Sequence, residues 1–159
     1  MPDAAAVRNL LDTAHRGAKD ALAELRGLAR GIHPPALDNG LADALATLAA
    51  GSAIPVDLQV RVPVRPSPAI ETIAYFCAAE LLANAAKHSS ATRIEVQATG
   101  RADTLLLGVA DDGTGGADPA RGSGLAGLAQ RVAVVDGRLD IASPPGGPTR
   151  ITAELPLRA

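Results

Sequence analysis

Trp is absent, and Tyr75 and Phe76 are the only aromatic residues in 159. Recognition of single-stranded nucleic acid by ring stacking is therefore excluded as the basis of function, and the core must be built from aliphatic side chains and Ala. A lone cysteine, Cys77, excludes an internal disulfide. Excess charge is also missing: 15 Lys+Arg stand against 17 Asp+Glu, a formal charge of −2, so no net field draws the chain to nucleic acid or an anionic membrane. No run approaches the ~20 apolar residues that span a bilayer. The first residues lack the basic-then-apolar layout of a secretion signal. These absences point to a reducing, cytoplasmic setting and to one ordinary domain with an extra helix.

What is present is strongly patterned. Val7, Leu11, Ala14, Ala18, Ala21, Leu25, Leu28 and Ile32 follow a 4-3-4-3 spacing, the seam of a long helix that pairs with another helix. The small Ala residues at its middle predict weak pairing, hence a monomer or weak dimer. Pro34 and Pro35 end it near Gly31. Leu37, Leu41, Leu45 and Leu48 mark a shorter helix before Gly51.

The alternation of Val56, Leu58, Val60 and Val62 predicts a strand over 54–62. A helix over 69–87, strands over 93–98 and 105–110, a Gly-rich loop over 111–124, a helix over 125–135 and strands over 138–142 and 150–155 complete the chain. This α-α-β-α-β-β-α-β-β order alternates too irregularly for a doubly wound parallel sheet. It predicts a two-layer α/β sandwich, a mixed sheet with helices on one face. Residues 1–33 form the seamed helix, 34–53 a linker helix and 54–159 the α/β domain.

Three clusters could carry chemistry. On the 69–87 helix, Ile73, Cys77, Glu80, Asn84, Lys87 and His88 recur at spacings of three and four and share a face. The upstream end of that stripe is apolar, so Glu80, Asn84 and the Lys87-His88 pair point inward, where each needs a partner. Phosphate with Mg²⁺ supplies such partners, since amide and carboxylate oxygens suit the ion and Lys complements phosphate. A helix end that turns polar at the surface is the plainer reading.

The second cluster, Asp111-Asp112-Gly113-Thr114-Gly115-Gly116, ends an apolar strand. A buried carboxylate there can accept from an exocyclic amine, and Gly113 and Gly115 allow a ligand close to the backbone; a tight turn is the alternative. The third, Gly122-Ser123-Gly124-Leu125-Ala126-Gly127, opens a helix whose amides can bind phosphate. It matches G-x-G-x-x-G, but a polar loop rather than a strand precedes it, which argues against a dinucleotide fold.

In this order the three clusters resemble the motifs of the Bergerat-fold ATPases, which include sensor histidine kinases, gyrase and the heat-shock chaperone ATPase. Glu80-Leu-Leu-Ala-Asn84-Ala-Ala-Lys87-His88 resembles their N box, and Asp111-Asp-Gly113-Thr-Gly115 their D-x-G-x-G box. Gly122-Ser-Gly124-Leu125-Ala-Gly127-Leu128 with Arg131 resembles the glycine box of the nucleotide lid, and Gly146-Gly147-Pro148-Thr149 the final G-x-T element. The run Leu28-Ala-Arg30-Gly31-Ile32-His33-Pro34-Pro35 is similar to the helix end and linker of sensor histidine kinases of the nitrate-sensor and desaturase-regulator type.

The resemblance implies ATP and Mg²⁺ as cofactors. Asn84 would hold the metal, Asp111 would receive the adenine amino group, and Lys87 or His88 would reach the phosphates, with Glu80 assisting the chemistry. Gly113, Gly115, Gly122 and Gly124 would be hinges of a short lid followed by Leu125, with 116–121 mobile until nucleotide orders it. Thr149 would support Asp111 beneath the adenine. It also implies a homodimer in the full-length protein, relay to a response regulator with helix-turn-helix output and no direct nucleic-acid binding. The family's acceptor is a mid-helix His followed by Asp or Glu. His15 precedes Arg16 and His33 precedes two prolines, so the chain reads as a C-terminal portion lacking the acceptor helix. An anti-sigma-factor-type Ser/Thr kinase, which shares the three boxes, and a non-catalytic nucleotide-controlled binding module are the competing readings.

Overall fold

The computed structural model describes residues 4–30, 34–121 and 123–159. The chain divides into two compact units, Met1–His33 and Pro34–Ala159. The first contains the 27-residue helix α1 (Ala4–Arg30), roughly 40 Å long at 1.5 Å per residue. Its described side chains, 4–20, are all exposed, with Leu10 at 76% and Leu11 at 64%. Ile32 of the seam lies outside the described residues, with Gly31 and His33, and so do the side chains of Ala21, Leu25 and Leu28.

The second unit opens with a 3₁₀ turn, Pro35–Leu37, and helix α2 (Leu41–Ala50). Strand β1 (Val56–Arg61), helix α3 (Pro68–His88), strands β2 (Ile94–Arg101) and β3 (Thr104–Asp111), helix α4 (Ser123–Val134) and strands β4 (Arg138–Ala142) and β5 (Thr149–Pro156) follow. The five strands form one mixed sheet in the order β1-β2-β3-β5-β4. Only the β1–β2 pair is parallel, because α3 carries the chain back across the sheet between those two strands.

The core lies between this sheet and its helices. The strands bury alternate residues, Ile94, Val96 and Ala98 on β2, Leu105, Leu107 and Val109 on β3, and Ile151, Ala153 and Leu155 on β5, as a sheet covered on one face requires. Against them α3 places Ile70, Ala74, Cys77, Ala78, Leu81 and Ala85. This packing makes α3 so apolar that, by length and composition, it could cross a membrane, which corrects the expectation that no stretch approaches that limit. Residues 34–53 belong to the same unit: Leu37, Leu41, Ala44 and Leu45 are buried in its core.

A buried carboxylate ties the entrance of this unit together. Glu71, in the first turn of α3, is 1% exposed and takes hydrogen bonds from Arg65 Nε at 2.7 Å and Nη2 at 3.3 Å, while that Nη2 also donates to the Leu37 carbonyl at 3.2 Å. The guanidinium is solvent-exposed, so Arg65→Ala takes a cation and two charge-assisted hydrogen bonds from a buried carboxylate, whereas Glu71→Gln removes the buried charge and leaves a cation that water solvates. Urea unfolding is expected to show the larger loss of midpoint for Arg65→Ala; the reverse order would count against this account.

Candidate functional site

The end of α3, the end of β3 and the start of α4 meet around a cleft of about 350 Å³. It lies at the end of central strand β3, where the D-x-G-x-G loop leaves the sheet. Asn84 and His88 enter from α3, Asp111 from β3, Gly124 and Leu125 from α4 and Thr149 from β5. Four segments from separate stretches of the sequence thus line one cleft.

Asp111 is 9% exposed. Its Oδ1 accepts the Gly113 amide at 2.9 Å, leaving Oδ2 for a ligand. Gly113 is fixed by close approach: a Cβ there would lie 2.1 Å from the Ser89 carbonyl oxygen. The Thr114 amide donates to that same carbonyl at 2.8 Å, so the loop after β3 docks on the C-terminal end of α3. The adjacent Asp112 has a different task. Its carboxylate accepts from the Thr92 hydroxyl and from the Thr92 and Arg93 amides. These bonds hold its pKa below the usual Asp value and tie the start of β2 to the end of β3.

Gly115 has φ +66°, and a Cβ there would lie 2.0 Å from the Pro144 carbonyl oxygen and 2.5 Å from that of Gly147. Gly116 has φ +80° but open space around it. Gly116→Ala should therefore cost only the left-handed strain, about 1–2 kcal/mol, while Gly115→Ala adds a backbone collision and should displace the loop and the Asp111 wall with it. Equal unfolding midpoints and nucleotide affinities for the two variants would contradict this placement.

The α3 stripe follows its sequence pattern at its apolar end and departs from it at Lys87. Cys77 is fully buried, and burial pushes its thiol up to about 11, so it is a core residue and no nucleophile. Asn84 is half-buried at the cleft, and its amide has no hydrogen-bond partner among the described residues. Glu80 abuts the first turn of α4: a Cβ on Gly124 would lie 2.9 Å from Glu80 Oε1. His88 is exposed and lines the cleft. Lys87 is exposed and does not line it, a correction to the inward pair. At about 100° per residue Lys87 lies nearly opposite buried Ala85, whereas His88 is about 60° from it.

Thr149 is buried and stands opposite Asp111 in the β3–β5 register. Its hydroxyl pairs with Ser143 Oγ at 2.7 Å rather than with Asp111. Gly122 lies outside the described residues. Of the expected mobile stretch, Gly116 and Ala117 are tied by their amides to Ser143, and Pro119–Arg121 forms a 3₁₀ turn. Sequence reasoning missed Ser89, Asp118 and Arg121, all of which line the cleft. Arg121 had a signal, being the sole cation between Asp111 and Leu125; Ser89 had none, because its role is a backbone carbonyl.

A cleft at the end of a mixed sheet, walled by an Asn-bearing helix and a D-x-G-x-G loop, defines a class of ATPase. Residues 70–159 match the family model described as histidine kinase-, DNA gyrase B-, and HSP90-like ATPase, and the chain belongs to this family. The sensor histidine kinase NarS of Mycobacterium tuberculosis is 36% identical over 154 residues, covering 89% of this chain and 36% of NarS. The chain thus spans about a third of that relative. Among solved structures, the histidine kinase domain of the blue-light activated kinase of Erythrobacter litoralis superposes with a TM-score of 0.60 at 19% identity, over 74% of this chain and 63% of that one. The histidine kinase AdeS of Acinetobacter baumannii gives 0.55 at 16% identity, over 99% and 86%. These two likenesses bear on the fold.

Proposed function

We propose that this chain is the cytoplasmic, ATP-binding catalytic part of a sensor histidine kinase, which delivers the γ-phosphoryl group of ATP to a histidine carried outside these 159 residues. One observation supports it above the rest. The likeness to NarS covers 89% of the chain and so reaches well ahead of residue 70, where the ATPase model begins; it includes the helical segment that a bare ATPase domain does not need. The phosphohistidine would then pass its phosphoryl group to a response regulator, and the full-length protein would be a homodimer.

In this reading Asp111 Oδ2 accepts the adenine amine and Thr149 faces the base beside it. Asn84 suits Mg²⁺: its amide oxygen is unengaged at the cleft, and no group of three or more His, Cys, Asp or Glu side chains among the described residues could hold a metal alone. Such a site fits an ion that keeps several waters and takes few protein oxygens besides the phosphates. Bound there, the ion would neutralise charge developing on the phosphate oxygens. His88 and Arg121, which both line the cleft, would orient the phosphates. Glu80, against the start of α4, would position Asn84 and the first turn of the lid.

Calorimetric titration tests the site. The chain should bind ATP with Mg²⁺ and more weakly with EDTA, and Asn84→Ala should abolish that difference along with most of the phosphate affinity. Binding by Asn84→Ala that keeps its full Mg²⁺ dependence would remove Asn84 from the metal.

A further inference from the structure

The loop after Asp111 is gripped from outside the cleft, by the connection between α3 and β2. The β2–β3 ladder ends at the pair Ile94–Asp111. Beyond it, Asp112 Oδ1 accepts the Thr92 amide at 2.7 Å and the Arg93 amide at 3.0 Å, and Oδ2 accepts the Thr92 hydroxyl at 2.5 Å. This carboxylate is ionised at neutral pH and has no proton to give, so the donor in each of the three bonds is fixed. Two residues on, the Thr114 amide donates to the Ser89 carbonyl at 2.8 Å. Ser90, inside the gripping connection, has φ +53°, a left-handed conformation that is costly for a residue with a Cβ and persists where surrounding contacts over-determine it.

We propose that Asp112, which does not itself line the cleft, is a positioning residue for base recognition: it holds Gly113, and through Gly113 the Asp111 carboxylate, in the orientation that receives the adenine amine. This rests on the nucleotide reading above. Between the two grips sits Gly113, whose amide donates to Asp111 Oδ1 at 2.9 Å. That amide is the only donor to the Asp111 carboxylate among the described residues. Whatever places it therefore decides which carboxylate oxygen is left for a ligand. Gly113 has no side chain to anchor it, so its amide is placed by its neighbours, Asp112 on one side and Thr114 on the other.

Loss of the Asp112 clasp removes one of these two anchors and lets the Asp111 carboxylate turn, and a binding group loses affinity when its supporting contacts no longer hold its rotamer. Asp112 and Thr92 are both exposed, so the clasp buries no apolar core and its effect lies in where the loop sits. Asn84 stands within α3, whose helical bonds do not pass through the clasp. The metal and phosphate half of the site is therefore out of its reach.

The test is titration of the 159-residue chain with three probes, MgATP, adenosine and Mg²⁺ with tripolyphosphate, combined with amide exchange. Asp112→Ala should weaken MgATP and adenosine alike by about two- to tenfold, the partial loss of one hydrogen bond, and leave tripolyphosphate binding unchanged. Exchange at Gly113 should speed up. Asp112→Asn, whose amide oxygen still accepts both backbone N–H groups, should recover most of the loss. If Asp112→Ala does not fold, Thr92→Val, at an exposed position and removing only the hydroxyl bond, should show the same split with a smaller loss. A merely structural role would weaken both halves of the nucleotide together or neither. Equal weakening of adenosine and tripolyphosphate, unchanged binding of MgATP and adenosine, or no recovery in Asp112→Asn overturns the proposal while leaving the site intact. A wild-type chain that binds no ATP sinks the nucleotide reading and this proposal together.

Discussion

Asp111→Asn is expected to weaken MgATP binding by about 1–3 kcal/mol, the range for a spoiled buried hydrogen bond, or roughly five- to 150-fold in Kd. The geometry makes this substitution cleaner than truncation. The new side-chain carbonyl can still accept the Gly113 amide, now 2.9 Å from Oδ1, so the loop keeps its anchor. The new NH₂ then replaces Oδ2 and presents a donor to the adenine amine, itself a donor. Because a carbonyl oxygen on the base would welcome that NH₂, GTP should gain while ATP loses. Thermal unfolding should change little between the two proteins. An unchanged Kd for ATP would remove Asp111 from base recognition, whatever the merits of the metal site.

The legibility of this site in the sequence has a physical basis. Asp111, Gly113 and Gly115 belong to one local turn, and local turns announce themselves through residue types that tolerate close approach or positive φ. The helix face bearing Asn84 is legible because helical periodicity is short-range. What the sequence hides is contact across distance. Ser143 and Thr149 bracket a turn of Pro and Gly that reads only as a connector, yet the turn docks on the loop after β3 and shapes the cleft floor. The Arg65–Glu71 pair is similarly silent, because a Glu in the first turn of a helix is an ordinary dipole-complementing residue and nothing nearby reveals that α2 and the preceding turn cover it. Lys87 shows the opposite error. A stripe with steps of three and four drifts around the helix, so its last members need not face where its first ones do.

The sheet follows the same division. One-face burial of β2, β3 and β5 is written in alternation, Val96 and Ala98 inward with Gln97 between them. The order β1-β2-β3-β5-β4 is not, since it depends on which edge each connection reaches. Alternation determines faces, and loop reach determines neighbours.

Supplied with radiolabelled MgATP, the isolated chain is expected to remain unlabelled, and a separately supplied acceptor helix from a sensor histidine kinase is expected to take the label. His15 lies on α1 with an exposed side chain and is followed by Arg16, so no carboxylate follows it to take a proton as the imidazole attacks. His33 precedes Pro34 and Pro35, and proline removes the helical setting an acceptor requires. The chemistry of the product separates the competing readings. A phosphoryl group on imidazole nitrogen is lost in acid and survives base, whereas one on a Ser or Thr oxygen survives acid. Acid-labile label on the supplied helix, abolished by Asn84→Ala and strongly reduced by Asp111→Asn, supports the histidine kinase. Acid-stable label on a Ser or Thr of an added partner would favour the anti-sigma-factor type. ATP binding with no transfer to any helix would favour a nucleotide-controlled docking module. Acid-labile label on the chain alone, lost on His15→Ala, would mean that the acceptor lies on α1 and that the helix supplied in trans is unnecessary.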